Sequence, residues 1–135
     1  MELICGILFS TRTLLLLLLL GEHTIPEAVL RLTSLTALNV AGNGWAILPD
    51  NFFSSLAALE VLDVSHNSLS YLPCGISGCE QLRVLSLSGN SLSALPIGIV
   101  KLPQLRELYL RYGSNYLLIS RTPHHHTPIL FTSGP

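Results

Sequence analysis

Residues 59–67 read Leu-Glu-Val-Leu-Asp-Val-Ser-His-Asn, with leucine or valine at the first, fourth and sixth positions and asparagine at the ninth. The same spacing occurs at residues 35–43 and at residues 82–90, so the copies follow one another at steps of 24 and 23 residues. A proline preceded by leucine stands six residues after each asparagine, at Pro49, Pro73 and Pro96. A period of this length predicts a chain built from repeated structural units.

Weaker copies extend the pattern in both directions. Residues 105–110 carry the apolar positions of a fourth copy, but Gly113 stands where asparagine is expected. Upstream, Leu15 lies 23 residues before Leu38. The sequence therefore predicts about three full and two degenerate units. Three regions follow from this count: an apolar N-terminal segment over residues 1–13, a repeat array over residues 14–112 and an irregular tail over residues 113–135.

Alternation within each copy predicts a short strand. Leu62 and Val64 are two residues apart, so they point to one side of an extended segment, while Asp63 points to the other. The part of each unit that contains the proline is expected to be irregular or a short helical turn, because proline cannot donate a backbone hydrogen bond. One unit buries too little apolar surface to be stable alone, so neighbouring units must stack. The predicted fold class is α/β, a curved solenoid with short parallel strands on its concave face.

These leucines, prolines and asparagines resemble the leucine-rich repeat family, in particular the 23-residue Leu-Pro-x-x-Ile form of intracellular scribble-type and Ras-suppressor-type proteins. The resemblance covers roughly residues 15–112. It implies a solenoid with irregular or short helical convex segments. It also implies a protein-binding module, an intracellular scaffold or adaptor that binds another protein on its concave face.

Residues that alternate with the core positions, and those just beyond them, are the candidates for partner binding. Tyrosine and arginine are the usual anchors of binding energy, which favours the end of the array at Tyr109 and Arg111. An alternative is that these side chains contact a following repeat. The candidate binding residues are Asn39, Asp63, His66, Ser86, Glu107, Tyr109, Arg111 and Tyr112. The three repeat asparagines, Asn43, Asn67 and Asn90, are expected to form a structural ladder, because a side-chain amide can bond loop backbone groups.

Several other kinds of chemistry are not expected. The 7 basic and 8 acidic residues form no basic patch, so nucleic acid is not a predicted partner. Asp63, Ser65 and His66 do not form a credible hydrolytic trio on an open strand face, and no phosphate-binding glycine loop occurs. The adjacent histidines of residues 124–126 make a weak metal site. We therefore predict no enzyme activity, no cofactor and no metal.

The N-terminus leaves the cellular location open between alternatives. Residues 14–20 are all leucine, but a helix of that length spans only about 10 Å of a bilayer core of about 30 Å. A hydrophobic first repeat is favoured over a signal peptide or membrane anchor in residues 1–21. The three cysteines do not resemble a disulfide scaffold, which favours a cytoplasmic protein. The alternatives are a secreted or membrane-attached recognition fragment and the substrate-docking arm of a larger enzyme. Because no polar cap is evident, we expect a fragment of a longer array.

Overall fold

The computed structural model describes residues 24–112 and four short strands outside that range. The outer strands are β1 (Leu8–Phe9), β2 (Leu14–Leu16), β7 (Asn115–Ser120) and β8 (Ile129–Ser133). The inner strands are β3 (Ala37–Asn39), β4 (Val61–Asp63), β5 (Val84–Ser86) and β6 (Glu107–Tyr112). The connecting segments contain helices α1 (Glu27–Leu30) and α2 (Phe52–Ser55) and the 3₁₀ helices η1 (Cys74–Gly78) and η2 (Ile97–Lys101).

The described strands form one sheet in chain order, from β1 to β8. Strands β2 to β6 are parallel, and Leu38, Leu62, Leu85 and Leu108 are successive register partners. Parallel neighbours require a crossover connection. The short helical segments provide that connection on the opposite side of each unit. The predicted α/β leucine-rich repeat solenoid is confirmed.

The core lies between the parallel strands and the helical segments. The four leucines of the strand register are fully buried, as expected for one side of a period-two pattern. Trp45 occupies the position held by Leu69 in the next unit, and both side chains are fully buried. The indole ring of Trp45 therefore fills part of the core. Its indole N–H has no hydrogen-bond partner within the described part of the chain.

Proline sets the start of several helical segments. Pro26, Pro73 and Pro96 directly precede α1, η1 and η2 with extended backbone angles. A proline at this position loses no hydrogen bond, because the first N–H groups of a helix have no partner within the helix.

In α2 the rings of Phe52 and Phe53 pack edge to face, with centroids 5.0 Å apart. None of the helices in the described range is long and apolar enough to span a membrane.

Cys79 is buried between two adjacent helical segments. Its thiol contacts the carbonyl oxygens of Phe53 and Leu56, at 3.2 and 3.5 Å from Sγ. Burial raises the pKa of the Cys79 thiol to about 11. Cys74, five residues earlier, is exposed. The thiolate is the reactive form of cysteine, so the two thiols should differ sharply in reactivity.

We expect iodoacetamide at pH 8 to modify Cys74 rapidly in the native chain and to leave Cys79 unmodified until the chain is unfolded. With a pKa near 11, only about one Cys79 thiol in a thousand is ionised at that pH. Peptide mass spectrometry after timed labelling separates the two sites. Labelling of both cysteines at equal rates in the native chain would contradict the buried position of Cys79, and guanidinium-unfolded chain provides the control.

The segment after the array differs from the sequence-based expectation. The irregular tail predicted for residues 113–135 contains β7 and β8, which extend the sheet as antiparallel strands. The outer edge of the six-residue strand β6 pairs with β7 in an antiparallel hairpin, which satisfies the backbone groups of that edge. Residues 115–120 read Asn-Tyr-Leu-Leu-Ile-Ser, which is rich in strand-forming side chains. At this end of the core, Leu92, Leu95 and Leu110 are only half-buried.

The start of the chain also pairs with the array. Strand β2 is parallel to β3, with Leu15 opposite Leu38. This is the register that the 23-residue spacing predicts for an upstream copy. Strand β1 pairs with β2 in the antiparallel direction. The signal-peptide and anchor alternatives concern residues 1–21, most of which lie outside the described part of the chain.

Candidate binding site on the concave face

Two rows of side chains cross the concave face at right angles to the strands. They contain the positions that alternate with the core leucines, and each row has one residue from each of β3, β4, β5 and β6. The first row is Ala37, Val61, Val84 and Glu107, and the second is Asn39, Asp63, Ser86 and Tyr109. Adjacent strands lie about 4.8 Å apart, so neighbours within a row are in direct reach of one another.

The side chains of two residues in the second row accept hydrogen bonds from nearby backbone N–H groups. The Asn39 Oδ1 atom accepts a hydrogen bond from the Ala41 N–H at 3.0 Å, and the Asp63 Oδ1 atom accepts one from the Ser65 N–H at 2.9 Å. Such bonds to the backbone two residues ahead stabilise the turn that ends a strand. Both side chains are half-buried. Ser65, which the alternating pattern places on the open face, is buried at 7% exposure.

His66 lies at the turn that follows β4 and has a left-handed backbone conformation, with φ of 53°. The equivalent positions in the neighbouring units are Gly42 and Gly89, with φ of 74° and 71°. Histidine is among the few residues with a side chain that tolerate this region. A Cβ atom added at Gly89 would lie 2.7 Å from the His66 Nδ1 atom. The exposed imidazole therefore covers the glycine turn of the next unit.

The end of the array carries Glu107 and Tyr109 on β6. The Tyr109 hydroxyl donates a hydrogen bond to the Glu107 Oε2 atom. This bond to a carboxylate raises the pKa of Tyr109 above its usual value. Tyr109 remains 41% exposed. Arg111 and Tyr112 belong to β6, but their side chains lie outside the described part of the chain.

The repeat asparagines lie at the turns beside this face. Asn67 accepts hydrogen bonds at Oδ1 from the N–H groups of Asn43 and Trp45, at 3.1 and 3.0 Å. Its Nδ2 atom donates to the carbonyl oxygens of Val40, Val64 and Ser65 at 2.9–3.2 Å. Asn67 thus joins the backbone of two consecutive units.

Asn90 makes the same connection one unit further along. Its Oδ1 atom accepts from the Leu69 N–H at 3.0 Å, and its Nδ2 atom donates to the Val64 and Leu87 carbonyl oxygens at 2.9 Å. Asn43 donates to the Val40 carbonyl oxygen at 2.8 Å. These bonds fix the turns that place the binding candidates at the ends of the strands.

A third row of polar residues borders the concave face and was not among the sequence-based candidates. It consists of Thr36, Glu60, Arg83 and Arg106, each of which directly follows the first leucine of its repeat. The Arg83 Nη1 and Glu60 Oε2 atoms are 3.7 Å apart. The register of the repeat could have found this row, because its members occupy the same position in four successive units.

The described residues contain no group of three or more histidine, cysteine or carboxylate side chains arranged to hold a metal ion. The concave face carries apolar, aromatic and charged side chains. Such a surface can form contacts, hydrogen bonds and ion pairs with another molecule.

Comparisons with known proteins agree with this geometry. Residues 33–92 match the family described as leucine rich repeat, and residues 80–120 match leucine-rich repeats in two copies. The chain contains leucine-rich repeats. The second match includes β6 and ends at residue 120, the last residue of β7.

Solved protein structures also resemble the chain. A leucine-rich repeat protein of Leptospira interrogans is 32% identical with a TM-score of 0.61, and the match covers 64% of this chain and 22% of that one. Human 5T4, also named trophoblast glycoprotein and Wnt-activated inhibitory factor 1, is 28% identical with a TM-score of 0.50. That match covers 61% of this chain and 30% of the human one. The chain thus corresponds to less than a third of either protein. No curated protein matches it.

Proposed function

We propose that this chain is a protein–protein interaction module, an intracellular scaffold or adaptor, that binds a protein partner on the concave face of its repeat array. Leucine-rich repeat domains generally mediate such interactions. The observation that carries the proposal is the exposure of large side chains in the concave rows. Val61 is 39% exposed and Tyr109 is 41% exposed, although the neighbouring core leucines of their strands, Leu62 and Leu108, are fully buried. An exposed tyrosine on a rigid sheet is suited to anchoring a partner.

The proposed contact is of modest size. Strands β3 to β6 at about 4.8 Å spacing give a sheet less than about 20 Å across. A standard interface buries about 800 Å² on each partner, which would use most of this surface. The rigid strands favour binding without a large rearrangement of the array.

A photo-crosslinking experiment tests the location of the site. We expect benzoylphenylalanine in place of Tyr109 to crosslink to a small set of proteins in cells that produce the chain. Tyr71 is the matched control, since it is 46% exposed but lies between β4 and η1, outside the concave rows. The same probe at Tyr71 should not give those adducts. Identical adducts from both positions, or none from position 109, would overturn the concave-face proposal.

A second candidate function is that of a secreted or membrane-attached recognition protein. The likeness to human 5T4, a protein named as a glycoprotein, favours this candidate. N-terminal sequencing of the mature chain separates the two proposals. A chain that begins near residue 22 would support secretion, whereas retention of residues 1–21 in a cytosolic fraction would support the intracellular adaptor.

A further inference from the structure

We propose that two copies of the chain associate through β7 and β8, here termed the sheet extension, so that the extension of each copy completes the core of the other. The contact leaves the concave face of both copies open. Three observations support it: the sheet is longer than the helical layer, core leucines beside the extension are only half-buried, and the register places apolar residues on the core-facing side of the extension.

The sheet is longer than the layer of helical segments that packs on it. In the described part of the chain, that layer ends with η2, whereas the sheet continues beyond β6 through β7 and β8. Two further strands widen a sheet by about 10 Å. The core-facing side of the extension therefore lies beyond η2, with no described helical segment over it.

The core is incompletely covered where the helical layer ends. Leu92, Leu95 and Leu110 pack against the core but are only half-buried. The residues at the same three positions of the preceding unit are buried, because the following unit covers them: Leu69, Leu72 and Leu87. Apolar surface next to the extension is thus accessible to another molecule.

The last helical segment adds further exposed apolar side chains. Ile97 and Val100 of η2 are 76% and 64% exposed. The residues at the same positions of η1 are Cys74 and Ser77, which are also exposed. The outward positions therefore change to large aliphatic residues in the unit that adjoins the extension. Contiguous exposed apolar surface of this kind is typical of an interaction site.

The register places apolar residues on the core-facing side of the extension. Leu117 and Ile119 of β7 are partners of the core residues Leu110 and Leu108, and Leu130 of β8 is the partner of Ile119. Partners in antiparallel strands belong to the same side of the sheet. This side of the extension therefore continues the apolar surface of the core.

A second copy of the chain fits this surface better than the chain's own remaining segments. Residues 121–128, which connect β7 to β8, include no leucine, isoleucine, valine or phenylalanine. Strands β1 and β2 lie at the opposite end of the sheet. An apolar layer that can cover the extension is the extension itself, since two stacked sheets pack about 10 Å apart.

A two-fold axis parallel to the strands gives both copies the same contact. The extension of one copy then lies in line with the helical layer of the other, and its β8 lies beside η2 of that copy. Such a contact is reciprocal and closes at two copies. The strands of the extension carry no charged residue, so the two identical surfaces meet without like-charge repulsion.

Light scattering during size-exclusion chromatography of the full chain tests the proposal. We expect the mass of two chains at micromolar concentration. Leu130→Lys should reduce it to the mass of one chain, because burying an unpaired ammonium group in an apolar contact is unfavourable. Phe131→Lys is the matched control. It adds the same charge one residue later on β8, but the register places position 131 on the other side of the sheet, so the dimer should persist.

A crosslinking measurement keeps the test independent of changes within β8. Benzoylphenylalanine at position 97, which is exposed on η2, should join two chains through residues 129–133 of the second copy. The same probe at position 47, exposed two units away, should not. Circular dichroism verifies that each variant folds.

Three results would overturn the proposal. The first is an unmodified chain that stays monomeric at every soluble concentration. The second is equal masses for Leu130→Lys and Phe131→Lys, because association would then not depend on the core-facing side. The third is the absence of two-chain adducts from position 97, or the same adducts from position 47.

Discussion

Replacing Asn67 with alanine is expected to lower the free energy of unfolding by about 3 to 5 kcal/mol. The substitution leaves the N–H groups of Asn43 and Trp45 without their acceptor. It also removes the donor to the Val40, Val64 and Ser65 carbonyl oxygens. Each buried backbone group that loses its partner costs about 1 to 3 kcal/mol, partly offset where water can enter.

Denaturant unfolding followed by the fluorescence of Trp45, the only tryptophan of the chain, measures this loss. Far-UV circular dichroism provides a second probe that does not depend on the surroundings of the indole. Asn51→Ala is the control, because Asn51 is exposed and its side chain makes no capping hydrogen bond to α2. An Asn67→Ala variant as stable as the Asn51→Ala control would contradict the role of the asparagine in joining the units.

Replacing Leu85 with alanine should cost about 3 kcal/mol, because it removes a fully buried side chain and leaves a cavity in the middle of the array. Leu85 is the register partner of both Leu62 and Leu108, so the cavity would lie between two further core leucines. The adjacent units are rigid parts of one sheet and can close the space only in part. The same denaturant titration measures the effect.

The neighbouring substitution Val84→Ala is the matched control for Leu85→Ala. Val84 is one residue earlier on the same strand, but its side chain is half-buried on the concave face. We expect it to cost less than about 1 kcal/mol, as is usual for partly exposed sites. Equal losses for the two variants would mean that the strand does not alternate between core and open face, contrary to the fold described above.

The core of the array was predictable from the sequence because one spacing specifies it. Leucines that recur every 23 or 24 residues at alternate positions must lie side by side if the copies adopt the same conformation, and Leu38, Leu62 and Leu85 do so. In the same register Trp45 and Cys79 each replace a leucine of another unit, and both are fully buried. Because the repeat occurs several times, each structural position can be compared among several units of the same sequence.

The features that the sequence did not predict depend on contacts outside the repeat. Strands β7 and β8 have no equivalent in the units, so the period contains no information about their pairing with β6. Ser65 is buried because it lies in the turn that follows β4, where its N–H donates to the Asp63 side chain. The alternating pattern of a strand does not predict side-chain positions in such a turn.

The candidate site was partly predictable for the same reasons. Alternation placed Asp63, Ser86 and Tyr109 in one row across the sheet. The bond between Glu107 and Tyr109 was not predicted, because it depends on side-chain conformations two residues apart on one strand. The third row of polar residues was not predicted, because Arg83 and Arg106 directly precede β5 and β6 and alternation within the strands does not include them.

Contacts within the array join consecutive units. Each of the strands β3 to β6 contacts the next strand, α2 contacts η1, and η1 contacts η2. A duplicated copy of residues 68–90 inserted after Asn90 would therefore meet neighbours like those it already has, and the downstream pairing would be retained. Each duplication would widen the inner wall by one strand, about 4.8 Å, and add one new set of variable side chains. Gene duplication can thus enlarge the concave surface of such a chain in fixed increments, without the invention of a new core.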